Sequence, residues 1–142
     1  MTKNRIKWWL ALFCLLIASP PAFAETDRWI CLGTFAEMAT YVDTTSMVTY
    51  GDTIGGPTTF VRCWVKVICG PSKRKQYGGS TNGLMLYDCS RDRQIKLIRW
   101  VDYLEDGTVA LQMENPIPEW KMITPETLGE ALWRVLFKRH DR

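Results

Sequence analysis

The sequence predicts an α+β domain in which an antiparallel meander sheet of about six strands carries a C-terminal helix on one face. Short segments rich in β-forming residues follow one another, separated by Gly-, Pro- and Asp-containing turns. The connections are mostly short, which favours antiparallel pairing of neighbouring strands. The last segment instead has apolar residues at helical spacing. A helix on one face of such a sheet buries the apolar surfaces of both.

The beginning of the chain has the order of a secretory signal peptide. A basic start is followed by an apolar run at 8–18, and small residues precede a cleavage site after Ala24. The run is shorter than the ~20 residues that a membrane-spanning helix needs. We therefore predict a signal peptide at 1–24 and a single domain at 25–142, with no transmembrane segment after processing. The protein is therefore expected to be exported, to the periplasm or to the cell surface.

The net charge after processing argues against a nucleic-acid partner. The full chain has 18 Lys and Arg against 15 Asp and Glu, but Lys3, Arg5 and Lys7 lie in the signal segment, which contains no acidic residue. The rest of the chain therefore has as many bases as acids. A balanced chain lacks the basic excess that is typical of nucleic-acid binding.

Six strands are expected along the chain. They are 28–33, 40–44, 60–69, 84–89, 94–103 and 108–113. The strand 60–69 is apolar throughout at one parity and mixed at the other, which indicates one dry and one partly wet face. In 94–103, Ile95 and Leu97 share one parity and Trp100 and Asp102 the other, a change that the sequence does not explain. Asp106 and Gly107 predict a tight hairpin before the last strand, and the Gly-rich segments 49–59 and 70–83 are predicted loops.

The C-terminal helix is predicted to begin with Thr124 as its N-cap and Pro125 at the first helical position. Glu126 suits the positive end of the helix dipole. The helix has an apolar stripe that should face the sheet, formed by Leu128, Leu132, Val135 and Leu136 and widened by Trp133 and Phe137.

Cysteine usage fits an exported domain. Of the five cysteines, Cys14 is removed with the signal segment, which leaves Cys31, Cys63, Cys69 and Cys89. Four cysteines in a small exported domain favour two disulfides, with three possible pairings. A zinc site is disfavoured, because five residues separate even the closest pair. Cys63 and Cys69 share one predicted strand, up to ~20 Å apart when extended, so each is expected to pair elsewhere.

No catalytic constellation is expected. The one histidine, His140, lies at the end of the chain, which removes the usual Ser–His, Cys–His and His–metal arrangements. Asp102, Glu105 and Asp106 could support acid–base chemistry, but acidic residues beside an Asp-Gly turn more often form the turn. We predict a protein that is not an enzyme, with no catalytic, cofactor-binding or metal-binding residues.

Two features could contact a partner. The basic run Lys73, Arg74 and Lys75, with nearby Tyr77, forms a candidate contact loop for a polyanion or an anionic surface, although a solvated mobile loop is the commoner role. Tryptophans could also build a sugar-stacking surface. Their positions on strands and on the helix stripe favour core packing instead, for Trp29, Trp64, Trp100, Trp120 and Trp133.

A set of short motifs runs through residues 25–142. Trp29 opens it, and it continues with Tyr41-Val42-Asp43, Thr45-Ser46, a strand with Trp64, Tyr87-Asp88-Cys89 with Arg91, Trp120, Ile123-Thr124-Pro125 and Gly129-Glu130-Ala131-Leu132. In this order the chain resembles the bacterial surface-adhesin protein E family. The resemblance implies an antiparallel sheet with a packed C-terminal helix, in the periplasm or at the cell surface of a Gram-negative bacterium. In its named member the family is linked to binding of host matrix proteins, with no enzyme activity. Relatives commonly have a helix cysteine that can pair with the strand cysteine matching Cys89, whereas Phe137 occupies that position here.

The leading functional hypothesis is a non-enzymatic, adhesin-like exported module of the cell envelope that binds a host matrix protein or a polyanion through its loops. The alternative is a periplasmic small-ligand-binding or envelope-stress module with an apolar pocket between sheet and helix near Trp133. An enzyme that uses Asp102 or Glu105 is the least favoured hypothesis, because no positioned base accompanies them.

Overall fold

The computed structural model describes residues 28–51, 57 and 59–138. The predicted signal segment 1–24 and His140 lie outside the described residues. Within them, eight strands form one antiparallel sheet, and two α-helices and one short 3-10 helix (Thr44–Ser46) accompany it. The strands are β1 (Trp29–Phe35), β2 (Met38–Asp43), β3 (Val48–Gly51), β4 (Thr59–Cys69), β5 (Asn82–Ser90), β6 (Gln94–Tyr103), β7 (Val109–Glu114) and β8 (Lys121–Met122). The helices are α1 (Pro71–Gln76) and α2 (Leu128–Lys138).

The sheet is a meander around the three long strands β4, β5 and β6. The strand order is β1-β2-β4-β5-β6-β7, and all pairings are antiparallel. The short strand β3 extends the line of β2 along the same edge of β4. In the same way, β8 extends the line of β7 along β6. The two outer positions beside the central meander are therefore each filled by two strands.

The α+β prediction is confirmed, with eight strands instead of about six. All six expected strands are present within two residues at either end. The prediction missed β3, most of which falls in a segment assigned to a Gly-rich loop, and β8, which is only two residues long. Strands this short carry too little alternation to be recognised from sequence.

A β-bulge explains the change of parity in β6. Leu86 pairs with Arg99 but Tyr87 pairs with Leu97, so Ile98 is an extra residue on β6. Its carbonyl accepts a hydrogen bond from the Asn115 backbone amide at 2.8 Å. Because a bulge reverses the alternation, Leu97 and Trp100 project from the same face of the sheet.

The C-terminal helix begins later than predicted. Helix α2 starts at Leu128, whereas Thr124 and Pro125 were expected at its N-terminus. Glu126 has a φ of 61°, a left-handed conformation that cannot continue a right-handed helix. Its backbone amide donates to the Glu130 carboxylate at 2.8 Å, so the first turn is closed by Glu130 instead.

The core lies between α2 and one face of the sheet, here called the helix-side face. From the helix, Leu132, Leu136 and Phe137 are buried, as the predicted stripe requires. Opposite them lie the apolar parity of β4 and neighbouring strand residues, namely Val42, Val61, Cys63, Val65, Val67 and Cys89. Burial of these side chains, at about 1.5–3 kcal/mol for each large one, is the main force that holds the helix on the sheet.

The segment 70–83 is only partly a loop. Pro71–Gln76 forms the short helix α1, with Pro at its first turn, where the missing amide hydrogen costs nothing. The Gly79 amide then donates to the Arg74 carbonyl, and the Thr81 amide to the Tyr103 carbonyl. The basic run is therefore held on a hydrogen-bonded turn at the end of the sheet.

Candidate functional site

Helix α2 packs across the helix-side face against β1 and β5. The Trp133 indole donates to the Arg91 carbonyl at 3.2 Å, and Glu130 contacts Arg93. Both contacts fix α2 over the sheet end that carries the β5–β6 turn, around Val61, Cys63 and Cys89; we call this the covered half. At the opposite end of the sheet, α1 joins β4 to β5. We call the helix-side face at this end the open half.

The open half contains an apolar cavity of about 240 Å³. Strands β2, β4, β5 and β6 and the turn after α1 all contribute side chains to it. Its lining is Met38, Val67, Cys69, Tyr77, Ser80, Gly83, Met85, Leu97, Trp100 and Asp102. The bulge at Ile98 is what brings Leu97, Trp100 and Asp102 to this face together. An apolar cavity with a few polar groups is the usual form of a binding site.

Asp102 is the one carboxylate in the cavity lining. Its side chain has no hydrogen bond or ion pair within residues 28–51, 57 and 59–138. Burial raises the pKa of Asp102 above its ordinary value, since the surroundings disfavour the charged form. A partly buried, unpaired carboxylate is unfavourable for stability, and such groups are concentrated at functional sites.

Gly83 makes room for this carboxylate. Gly83 lies opposite Asp102 on the neighbouring strand, and a Cβ added at Gly83 would come within 2.7 Å of Asp102 Oδ1. That separation is too short for a carbon and a carboxylate oxygen, so any other residue here would displace the carboxylate. The glycine therefore contributes to the shape of the cavity.

The predicted contact residues stand beside this cavity. Tyr77 is 44% exposed and lines the cavity, while Arg74 and Lys75 are exposed on α1 and Lys73 is half-buried. Lys73 Nζ donates to Gln76 Oε1 at 3.3 Å. Within the described part of the chain, none of the three bases has a carboxylate partner. The structure thus brings the basic run and Asp102, which are far apart in the sequence, to one end of the sheet.

The acidic hairpin residues have different roles. The Asp106 carboxylate accepts hydrogen bonds from the Thr108 amide at 2.9 Å and the Thr108 hydroxyl at 2.6 Å. These bonds lower the pKa of Asp106, and Gly107 has a φ of 84°. Asp106 is therefore a turn former, as expected. Glu105 is exposed on the same turn, so only Asp102 of the acidic cluster lines the cavity.

The structure contains no disulfide among the candidate cysteines. Cys31, Cys63, Cys69 and Cys89 are all free thiols. Cys31 is exposed and pairs in register with Tyr41, which pairs with Lys66; it therefore faces away from the helix. The other three thiols lie on the helix-side face, so the sheet separates Cys31 from each of them. Pairing through Cys31 would require this register to change.

The motif residues of the opposite face form structural ion pairs. Asp88 is fully buried and accepts two hydrogen bonds from Arg62, at 2.7 and 2.9 Å. Asp43 binds the Arg28 guanidinium and the Thr45 amide, and so caps the 3-10 helix. Burial acts to raise the pKa of Asp43, but the bonds from Arg28 and Thr45 outweigh it and the pKa is lowered. Both acids therefore fix strands in place.

The tryptophans are less buried than expected. None of the five belongs to the buried core; each is half-buried. On the opposite face Lys66 Nζ lies 4.3 Å from the Trp29 ring centroid, and Lys96 Nζ lies 4.6 Å from that of Trp120. These cation–π contacts cover the rings without a second layer of structure. Trp133 packs against the core from the helix, and Trp100 lines the cavity.

The described residues contain neither a candidate metal site nor a membrane-spanning helix. No group of three or more His, Cys, Asp or Glu residues there could hold a metal ion. No helix in the same ranges is long and apolar enough to cross a membrane.

The antiparallel sheet with a C-terminal helix packed on one face is the fold that the family resemblance implied. The profile of the family described as Surface-adhesin protein E matches residues 29–136. The chain therefore belongs to the surface-adhesin protein E family, and the resemblance noted in the sequence is confirmed. A comparison with curated proteins finds no significant match.

Among solved structures, the chain is similar to protein E of Haemophilus influenzae. The two superpose with a TM-score of 0.52 at 15% identity, and the match covers 85% of this chain and 91% of that chain. At this identity the likeness shows a shared fold alone.

Proposed function

We propose that this chain is a non-enzymatic, adhesin-like module of the cell envelope that binds an acidic host-matrix macromolecule through α1. The observation that carries the proposal is the basic run on α1, whose three bases have no carboxylate partner within the described residues. Neighbouring unpaired bases attract acidic partners over distances of about 10 Å at moderate salt. Family membership supports the adhesin-like role.

The placement of these bases also supports binding. Helix α1 is tied to the sheet through the Thr81–Tyr103 backbone hydrogen bond and through Ser72, whose hydroxyl donates to Glu37 Oε2 at 3.0 Å. A basic segment fixed at the end of a sheet loses less conformational entropy on binding than a free loop. Export of residues 25–142 after removal of the signal segment is part of the proposal.

The test compares two triple variants of the exported chain for binding to immobilised heparin and to a basement-membrane extract. In the first, Lys73, Arg74 and Lys75 are replaced by serine. In the control, Arg99, Arg134 and Lys138 are replaced by serine, which removes the same charge from other surfaces. We expect the first variant to elute from heparin at lower salt and to lose matrix binding, while the control retains both. Equal loss in both variants, or no loss in the first, would contradict a role for α1.

The cavity favours a second candidate function, a periplasmic module that binds a small ligand. This cavity is not the pocket that was predicted near Trp133. The cavity lies in the open half, whereas Trp133 contacts Arg91 in the covered half. Native mass spectrometry of the chain purified from its own envelope distinguishes this function. A bound metabolite that is absent from the Met85→Trp variant would support it, and an empty wild-type chain would count against it.

A further inference from the structure

We propose that the open-half cavity binds a lysine side chain of an extended segment of a partner protein, with Asp102 as the counter-ion of its ammonium group. This site is separate from the α1 bases, and its ligand has the opposite charge. The inference therefore goes beyond the proposed function and does not depend on it.

The Asp102 carboxylate lacks a partner of opposite charge in the described residues. Asp102 carries no hydrogen bond or ion pair within residues 28–51, 57 and 59–138, although it is partly buried. Other carboxylates that the sheet buries more deeply, Asp43 and Asp88, each hold an arginine. An ammonium group in the cavity would give Asp102 the partner that those residues already have.

The walls of the cavity fit a lysine side chain in shape and in chemistry. Met38, Val67, Met85 and Leu97 offer apolar contact to an aliphatic stem, and Trp100 and Tyr77 are aromatic rings that also attract cations. At about 240 Å³ the cavity is smaller than the roughly 300–1,000 Å³ of pockets for drug-sized ligands. It is therefore suited to one long side chain and not to a cofactor.

The strand beside the cavity, β7, is an edge strand of the described sheet. All six residues of β7 are exposed, and β7 ends the strand order of the described sheet. Leu111 pairs with Asp102 and Met113 with Trp100, so their side chains lie on the helix-side face next to the cavity, 45% and 43% exposed. An extended segment can add to such an edge through backbone hydrogen bonds, while alternate side chains enter adjacent pockets. This geometry is why the occupant is a protein segment and not a free amine.

The pKa values of nearby groups are consistent with this assignment. Burial raises the pKa of Asp102, and a bound ammonium would lower it again. At the rim, burial raises the pKa of the Cys69 thiol, Asp102 adds to that effect and Arg74 opposes it. The positive charge of Arg74 that opposes the rise of the Cys69 pKa would also oppose a bound ammonium group. Removing the α1 bases should leave binding of a lysine peptide unchanged or make it tighter.

The experiment is an NMR titration of the exported chain with the peptide acetyl-Thr-Val-Lys-Val-Thr-amide, monitored at the Trp100 indole N–H. The matched peptide has norleucine in place of lysine, which keeps the stem and removes the charge. Because a charged hydrogen bond is lost, we expect the norleucine peptide to bind at least about tenfold more weakly. Asp102→Asn should weaken the lysine peptide by a similar factor, and Glu105→Gln, on the adjacent turn, should not.

Several outcomes would overturn the assignment. Equal affinity for the two peptides, or unchanged binding by Asp102→Asn with a dispersed native spectrum, would remove the counter-ion role. If acetyl-lysine-amide bound as tightly as the pentapeptide, the edge strand would have no part in binding. Gly83→Ala keeps the charge but displaces the carboxylate, and it should weaken the lysine peptide as well. The α1 triple-serine variant separates the two proposals, because it should lose heparin and retain the lysine peptide.

Discussion

The two halves of the helix-side face are built from similar residues but differ in what lies above them. In the covered half, Leu132 and Phe137 of α2 seal Cys63 and Cys89. In the open half, Val67 and Met85 continue the same apolar rows and line a cavity that also contains the unpaired Asp102. The difference shows that the covered half stabilises the fold, while the open half holds the features expected of a binding surface.

The largest difference between the two halves is expected in the reactivity of their cysteine thiols. Burial raises the pKa of Cys63 and of Cys89 to about 12. Their thiolate fractions at neutral pH are then roughly a thousandfold below that of an ordinary thiol. In native protein treated with iodoacetamide, we expect exposed Cys31 to react first, then Cys69 at the rim of the cavity, and Cys63 and Cys89 only on unfolding.

Peptide mapping without reductant provides the control for that prediction. If all four cysteines of the exported chain are free, the alkylation order reports burial alone. A disulfide that includes Cys31 and any of the other three would show that the register described for β1 is not that of the exported protein.

Core truncation should show the same contrast in stability. Leu132 is fully buried, so Leu132→Ala should lower the free energy of unfolding by about 2–5 kcal/mol. Leu111→Ala, at a 45% exposed site beside the open half, should change it by no more than about 0.5 kcal/mol. Urea unfolding followed by circular dichroism measures both. Similar losses at the two sites would mean that the halves are not energetically distinct.

The smallest change in the free energy of unfolding is expected for Asp102→Asn. This change is a gain in stability, whereas Leu132→Ala gives a loss. Asp102→Asn should raise stability at neutral pH, by at most about 0.5 kcal/mol because water still screens the group. The folded-state pKa is raised, so stability falls as the pH rises from below the unfolded value through the folded pKa. Melting temperatures of wild type and variant should therefore converge below about pH 3.8 and diverge above it. A variant that is less stable than wild type at pH 7 would mean that Asp102 is a structural residue.

Asp106 supplies a comparison for the sign of that pH dependence. Hydrogen bonds from Thr108 lower the pKa of Asp106. Its contribution is present above the unfolded pKa and is lost as the pH falls through the folded pKa. Asp106→Asn should thus lower the melting temperature at neutral pH, the reverse of Asp102→Asn.

The elements that could be predicted from sequence were those with a strong local pattern. The alternation of 60–69 and the Asp106-Gly107 turn gave β4 and the β6–β7 hairpin, and the apolar stripe around Leu132 gave α2. The start of α2 could not be predicted, because the left-handed conformation of Glu126 depends on its bond to Glu130. Local propensity alone favoured a helix from Pro125.

The candidate site was only half visible in the sequence. The basic run of α1 is contiguous, and it was identified directly. Asp102 was identified only as part of an acidic cluster beside the turn and as the least favoured catalytic candidate. Its position in the cavity could not be predicted, because it depends on the bulge at Ile98 and on Gly83 of another strand. The parity change between Leu97 and Trp100 was the available signal. An unexplained reversal in a strong strand indicates a bulge, and bulges often adjoin functional sites.

The most direct test of the account is a map of binding-induced amide shifts on the ¹⁵N-labelled exported chain. Heparin octasaccharide and the lysine peptide would be added in separate titrations. We expect both sets of shifts to fall at the open end of the sheet. Heparin should shift the amides of α1, and the peptide should shift those of Asp102, Trp100 and β7. Shifts centred on α2 and the β5–β6 turn would contradict the account, because the covered half would then be the binding surface.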